Sequence, residues 1–279
     1  MRPRCRILTL GVSSPADRPM PDSELYHLHT KRLRLFFDRE KSEAEQLANQ
    51  LRDSVSNDPE IIVVIGGDGT MLRAIRHHWR DGLPFYGLNT GHLGFLLNDP
   101  NQPAFPARNL RRYRLPLLGV DVVGHVGEPR HEVAFNDCWI ERQTGQTAWV
   151  EVSVNGIIRM ARVVADGMLI STAAGSTSYA RAMGASPLPL NANLLTLAAS
   201  NVLKPEFWRP AVLPSDSIIR LKNLDPEKRP WRGFIDGIAQ GEVLEMTART
   251  SASASVELLF APEFDPVAKL AVVQFPQVG

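Results

Sequence analysis

Apolar residues along the chain fall into two rhythms, and the change between them comes near residue 98. Arg6 to Val12 is an apolar run fit for a buried strand, followed by the turn-rich SSPADRPMPDS. Glu24 to Val55 is mostly polar, with apolar residues at Leu33, Leu35, Phe36, Phe37, Ala44, Leu47 and Leu51. This spacing predicts helix, with a break near Asp38. Ile61 to Ile65 is an unbroken β-branched run, which predicts a strand covered on both faces within a parallel sheet. A helix follows from Thr70, with Met71, Leu72 and Ile75 on one side, and Phe85 to Leu88 supplies another short strand before a second glycine-rich turn. The strand-loop-helix-strand order predicts a doubly wound α/β sheet. Both glycine loops then lie at the carboxyl edge of its strands, where such sheets take ligands.

Beyond Asn98, NDPNQPAFPARN reads as a linker, and short alternating segments take over: LPLLGVDVV, HEVAFNDCWIE, AWVEVSVNG and IIRMARVVADGMLIST. These are strand signals separated by turns such as Asn155-Gly156. SIIRLKN, RGFIDGIA, EVLEMTAR and ASVELLFA continue the pattern, and a single helical stretch is expected around Asn191 to Val202. The expected organisation is an N-terminal α/β domain over residues 1–100 and a β-rich, sandwich-like domain over 101–262. The tail, 263–279, is expected to return to the first domain.

Composition narrows the function classes. Thirty-one basic and thirty acidic residues leave a net charge of +1, so the chain lacks the electrostatic footprint of a general nucleic-acid or membrane-surface binder. Its two cysteines, Cys5 and Cys138, disfavour a disulfide scaffold or structural zinc site and suit a reducing cytoplasm. No apolar run approaches a membrane span or a signal sequence. His77-His78 lacks the i, i+4 spacing of a zinc helix, His92 is expected to bond locally, and no protein-built metal site is expected. Arg108, Arg111, Arg112 and Arg114 read as a solvated basic face.

Three segments could carry chemistry. GGDGT (66–70) is neither a P-loop nor a GxGxxG fingerprint. It can be an ordinary turn with Asp68 as helix cap. Alternatively, its bare backbone N–H groups and the helix behind them attract phosphate, while Asp68 takes the proton of an incoming hydroxyl. DGMLISTAAGSTSYARAMG (166–184) concentrates Ser171, Thr172, Gly175, Ser176, Thr177, Ser178 and Tyr179, suited either to a polar ligand or to capping a helix. FNDCWIER (135–142) offers Asn136 and Asp137 to sugar hydroxyls, or simply makes a turn.

In this order GGDGT, NTGHLGFL (89–96), FNDCWIER, DGMLIST-AAGSTSY, Arg209-Pro210 and FIDG (234–237) resemble the NAD kinase family. The GGDGT loop is shared with diacylglycerol, sphingosine and phosphofructo-kinases, and NTGHLGFL with GSTSY makes the distinction. The resemblance implies transfer of the terminal phosphoryl of ATP, accompanied by magnesium, to the 2′-hydroxyl of the adenosine ribose of NAD. It assigns Asp68 as general base, with Gly66, Gly67, Gly69 and Thr70 along the phosphates. It also implies dinucleotide contacts from Asn136, Asp137, Asp166, Thr177 and Tyr179, matches Asn89 among the binding residues to the asparagine opening the family's NTG turn, and implies a dimer or tetramer of this two-part fold.

The chain departs from the family's TPTGSTAY at Ala173, Ala174 and Ser178, has no histidine in Gly184 to Pro189, and ends DGI at Ile238. These changes gather on the acceptor side. They leave open a kinase of this type with another nucleotide or hydroxyl acceptor, or a non-catalytic dinucleotide-binding regulator.

Overall fold

The computed structural model describes residues 24–27, 32–91, 94–99, 109–125, 129–263 and 266–275. The strand expected at Arg6 to Val12, His92, Arg108, Cys5 and most of the linker lie outside these residues. Among the described residues the chain runs β1 (Glu24–His27), β2 (Leu33–Phe37), α1 (Ser42–Gln50), β3 (Ile61–Gly66), α2 (Asp68–His78), β4 (Phe85–Asn89), β5 (Asn109–Val123), β6 (Arg130–Ala134) and β7 (Asp137–Arg142). It continues with β8 (Ala148–Val154), β9 (Ile157–Ala165), β10 (Gly167–Thr172), α3 (Tyr179–Ala182), β11 (Leu194–Ser200), β12 (Ala211–Pro214), β13 (Ile219–Asn223), β14 (Trp231–Ile235), β15 (Ile238–Glu242), β16 (Glu245–Phe260) and α4 (Pro266–Gln274).

The β-branched run Ile61–Ile65 is the centre of the α/β part. Ile61, Val63 and Ile65 face Ala44 and Ala48 of α1, whereas Ile62 and Val64 pack with Met71, Ala74 and Ile75 of α2. A helix covers each face, so every residue of β3 is buried and no polar alternation can appear. β2, β3 and β4 pair in parallel, and β4 pairs in parallel with Leu258 and Leu259 of β16. This ten-stranded sheet runs β2-β3-β4-β16-β13-β8-β9, with β5 joining β16 and carrying β1 and β6.

The second sheet, β12-β11-β10-β7-β14-β15, is antiparallel throughout. Its inward residues Cys138, Ile140, Met168, Ile170 and Trp231 share a core with Val120, Val150, Val152, Leu221 and Met246 of the first sheet. The α/β part therefore merges with a β-rich, sandwich-like part, as the sequence pattern implied. The Asn155-Gly156 turn also forms, at φ 52° and 77° between β8 and β9.

Two expected helices are strands. Leu33–Phe37 is β2, because LRLFF pairs along its whole length with Ile61–Ile65; among the described residues of the Glu24 to Val55 stretch only Ser42–Gln50 is α-helical. Short apolar runs satisfy both periods, and pairing beside a buried strand decides the outcome. Asn191 to Val202 contains β11, held between β10 and β12. The helix preference of LLTLAAS gives way to its place inside a sheet.

Candidate active site

β3 ends at the carboxyl edge of the parallel strands, and the chain turns there into α2 with Gly67, not Asp68, as its cap residue. Freed from capping, the Asp68 carboxylate reaches across to the NTGHLGFL loop. Its two oxygens accept the backbone N–H groups of Phe95 at 2.9 Å and Leu96 at 3.0 Å. The backbone at Gly94 passes between two side chains: a Cβ there would stand 3.3 Å from both Asp68 Oδ1 and Asn89 Nδ2. The loop is tied down by Lys269 of α4, whose ammonium donates to the carbonyls of Gly94 at 2.8 Å and Leu97 at 2.9 Å and pairs with Asp99 at 2.9 Å. Burial raises the Asp68 pKa above the ordinary aspartate value, opposed by the two N–H bonds and the Lys269 charge. Asp68 is thus a fixed carboxylate that is a stronger base than an exposed one.

Asn89 is buried, and its Oδ1 accepts the Gly91 N–H at 3.0 Å. Lys41 Nζ lies over the same turn, 3.4 Å from where a Cβ of Gly91 would stand. Thr70 is buried behind the loop, and Arg73 on the next turn of α2 lines a pocket of about 300 Å³ with Phe36, Phe37, Asp38, Arg39 and Glu40.

Facing this loop is the segment between β6 and β7. Asp236, in the tight β14–β15 turn, accepts the N–H groups of Phe135 and Asn136, each at 2.8 Å, and of Asp137 at 3.2 Å. From the other side Thr172 Oγ1 donates to the carbonyl oxygens of Phe135 at 2.7 Å and Asn136 at 3.1 Å. The backbone is satisfied, yet the buried Asn136 Oδ1 has no hydrogen-bond partner among the described residues. An orphaned acceptor of this kind is suited to a ligand donor. Asp137 is pushed up to about 7, first by burial and then by the Asp236 charge. Arg76 Nη1 of α2 donates to the Asp236 carbonyl at 2.8 Å, which joins this segment to the Asp68 helix.

The TAAGSTSY segment packs against both. Ala173, Ala174 and Thr177 meet Phe95 and Lys269 in one small cavity, so the two alanines that depart from the family pattern are largely buried packing residues. Gly175 lies against Asn136, and a Cβ there would come within 2.3 Å of the Asn136 carbonyl oxygen. We therefore expect Gly175→Ala to displace the Asn136 segment and to cost roughly 2–3 kcal/mol. Urea denaturation checks this, and an unchanged midpoint would contradict the packing. Tyr179 stands edge-on to Trp139 at 5.2 Å, and Trp139 stacks on Phe234 at 4.7 Å.

The structure thus gathers Gly66, Gly67, Asp68, Gly69, Thr70 and Asn89 on one side and Asn136, Asp137 and Thr177 on the other, with Tyr179 at the margin. Asp166 does not join them. It precedes β10, whose far end bears Thr172, and the strand rise separates the two by roughly 20 Å. Its carboxylate is taken by Arg142 Nε at 2.6 Å and Asn201 at 2.8 Å. Sequence reasoning matched Asp236 only as part of FIDG and gave it no role, and it passed over Arg76, Lys41 and Lys269. The Asp-Gly pair at 236–237 signals a hairpin, and that signal conceals the carboxylate's bonds to a segment about a hundred residues away.

Among the described residues no group of three or more His, Cys, Asp or Glu could hold a metal, and no helix is long and apolar enough to cross a membrane. A family model described as the ATP-NAD kinase N-terminal domain matches residues 15–106. An NAD kinase of Hyphomonas neptunium is 32% identical over 233 residues, covering 81% of this chain and 91% of that protein. One of Cereibacter sphaeroides is 35% identical over 205 residues, covering 73% and 81%. Among solved structures, a yeast NADH kinase complexed with NADH superposes with a TM-score of 0.75 at 18% identity, covering 94% of each chain. An Archaeoglobus fulgidus NAD kinase in complex with ATP gives 0.63 at 21% identity, covering 86% of this chain and 98% of that one. The structural neighbours share the fold. With the relatives aligned over most of both chains, the loops of this site place the protein in the NAD kinase family.

Proposed function

We propose that the protein transfers the terminal phosphoryl group of ATP to the 2′-hydroxyl of the adenosine ribose of NAD, giving NADP and ADP. The observation that carries this reading is Asp68, a partly buried carboxylate clamped by two loop amides at the mouth of a glycine turn and helix N-terminus. The glycine loop holds the phosphates through backbone N–H groups at the head of α2 and the helix dipole, with the Thr70 hydroxyl and the Asn89 side chain beside it. Asp68 takes the hydroxyl proton as the ribose oxygen bonds to the terminal phosphorus and the bond to the ADP oxygen breaks. Each of its oxygens accepts one N–H and keeps a lone pair for that proton.

The orphaned Asn136 Oδ1 and the Asp137 carboxyl accept donors of the dinucleotide, with Thr177 and Tyr179 lining its pocket. Magnesium arrives with ATP, held by phosphates and water. Lys41, over the Asn89–Gly91 turn, and Arg73, beside Thr70 on α2, supply positive charge for the phosphates. Lys41→Ala is accordingly expected to raise the KM for ATP about tenfold while leaving that for NAD within about twofold, measured by steady-state kinetics. As part of the same reading, residues 1–100 with the tail 263–279 form the nucleotide-binding part and 101–262 the NAD-binding part. The enzyme works in the cytoplasm as a dimer or tetramer.

The deciding experiment incubates purified protein with ATP, magnesium and NAD and measures NADP. Folded protein that makes none refutes the reading. ATP turnover with another hydroxyl compound would redirect it to a different acceptor, and NAD binding without turnover to a regulator.

A further inference from the structure

Asp236 has a single carboxylate but three backbone clients. It pins the N–H groups of Phe135, Asn136 and Asp137, the segment whose buried Asn136 Oδ1 has no partner among the described residues. Its own N–H donates to the Asp137 carbonyl at 3.0 Å, so the contact is reciprocal. Asp236 adopts φ 45°, a left-handed conformation that aspartate tolerates better than most residues, and this aims its side chain back across the sheet. Its carbonyl is held by Arg76, just over two turns along α2 from Asp68. The carbonyls of the same segment are fixed from below by Thr172. One buried residue therefore sets the position of the acceptor-binding backbone and anchors it to the helix that bears the base.

We propose that Asp236 is a positioning residue for the dinucleotide acceptor, fixing the Phe135–Asp137 segment and, through Arg76, registering it against the GGDGT helix. This rests on the reading of Asn136 and Asp137 as acceptor contacts. Asp236 touches neither substrate; its effect passes through the segment it holds. It also acts on Asp137 by charge. No described group donates to the Asp137 carboxyl, whereas Asp236 accepts three N–H bonds, so Asp236 is the ionised partner and Asp137 the one that takes up a proton. Among the described residues, the other ionisable groups beside the pair are the Arg76 guanidinium from α2, Cys138 on β7 and Tyr179 of α3. Burial and neighbouring carboxylates keep the Cys138 thiol and the Tyr179 hydroxyl neutral, so neither titrates across neutral pH.

The test is calorimetric titration of full-length wild type and Asp236→Asn with NAD, and separately with ATP, between pH 5.5 and 9. NAD affinity of the wild type is expected to rise with pH through about 7 as Asp137 ionises to accept ligand donors. Asp236→Asn keeps the shape but places an amide N–H against the backbone N–H groups. It should weaken NAD binding about tenfold or more, leave ATP binding within about twofold, and move the pH midpoint for NAD downward because the neighbouring charge is gone. Unchanged NAD affinity, an unmoved midpoint or an equal loss of ATP binding would overturn the proposal. If Asp236→Asn does not fold, Arg76→Met decides. It is expected to weaken NAD binding at least about threefold with ATP binding unaffected, and unchanged NAD affinity again overturns the proposal. Wild-type protein that binds no NAD overturns both this proposal and the acceptor assignment beneath it. Wild type that binds NAD as well as its Asp236→Asn variant does overturns this one alone.

Discussion

Asp68→Asn is expected to lower kcat by about a thousandfold, the range in which a positioned general base contributes. The amide is nearly isosteric and keeps one acceptor oxygen, so the GGDGT turn and the NTGHLGFL loop should stay close to their native places. Binding of ATP and NAD is expected to remain largely intact. What is lost is the lone pair that receives the hydroxyl proton. The amide nitrogen would also face the N–H of Phe95 or Leu96, a donor against a donor, which should cost about 1–3 kcal/mol of stability. Turnover is therefore to be compared below the unfolding transition of the variant. A folded Asp68→Asn enzyme retaining more than about a tenth of wild-type kcat would remove Asp68 from the role of base. The raised pKa gives a second signature. Activity should fall on acidification at a higher pH than for an exposed aspartate, because the base is inactive once protonated.

Asp137→Asn is expected to abolish a large pH dependence of stability. The Asp137 pKa stands at about 7 in the folded protein against 3.8 for an ordinary aspartate. A raised acid binds its proton more tightly in the folded state, so its contribution is fully present below about 3.8 and is lost as the pH rises through about 7. From this group alone the wild type should lose about 4 kcal/mol between those limits. The asparagine variant should show little of that loss and be the more stable protein at pH 8. Urea midpoints measured from pH 5 to 8.5 check this, and parallel curves for the two proteins would exclude it. The same variant should bind NAD more weakly, so the carboxyl that strains the fold at neutral pH is kept for the ligand.

Much of the α/β part was legible because its signals are local. Ile61–Ile65 announces a doubly covered strand, and glycines directly after it announce a carboxyl-edge loop. The two strands misread as helices fail for a common reason: Leu33–Phe37 and Leu194–Ser200 owe their form to neighbours distant in sequence, and their own spacing permits either period. The glycine turn at the head of α2, with Asp68 in it, was visible in GGDGT because a short motif contains it whole. The supports were not. Lys269 meets the Gly94 carbonyl 175 residues away, and Arg76 meets Asp236 across 160. No motif records such bonds, since each residue is ordinary in its own surroundings. Asp166 is the opposite case: its neighbourhood in sequence adjoins Thr172 and Gly175, and a strand's length sets it at the other end of the sheet.

The parallel pairing of β4 with the end of β16 has a consequence for how the chain reaches its native state. Asn98 fastens that junction, donating to the carbonyls of Gly87 and Leu259 and accepting the N–H of Ala261. During synthesis the β4 edge and the Asn98 amide emerge from the ribosome long before their partners, which lie 161 residues further on. Until those residues arrive, an apolar parallel strand stands with an open edge, the kind of surface that invites pairing with other chains. Residues made late are thus the ones that close a sheet whose other strands are made early.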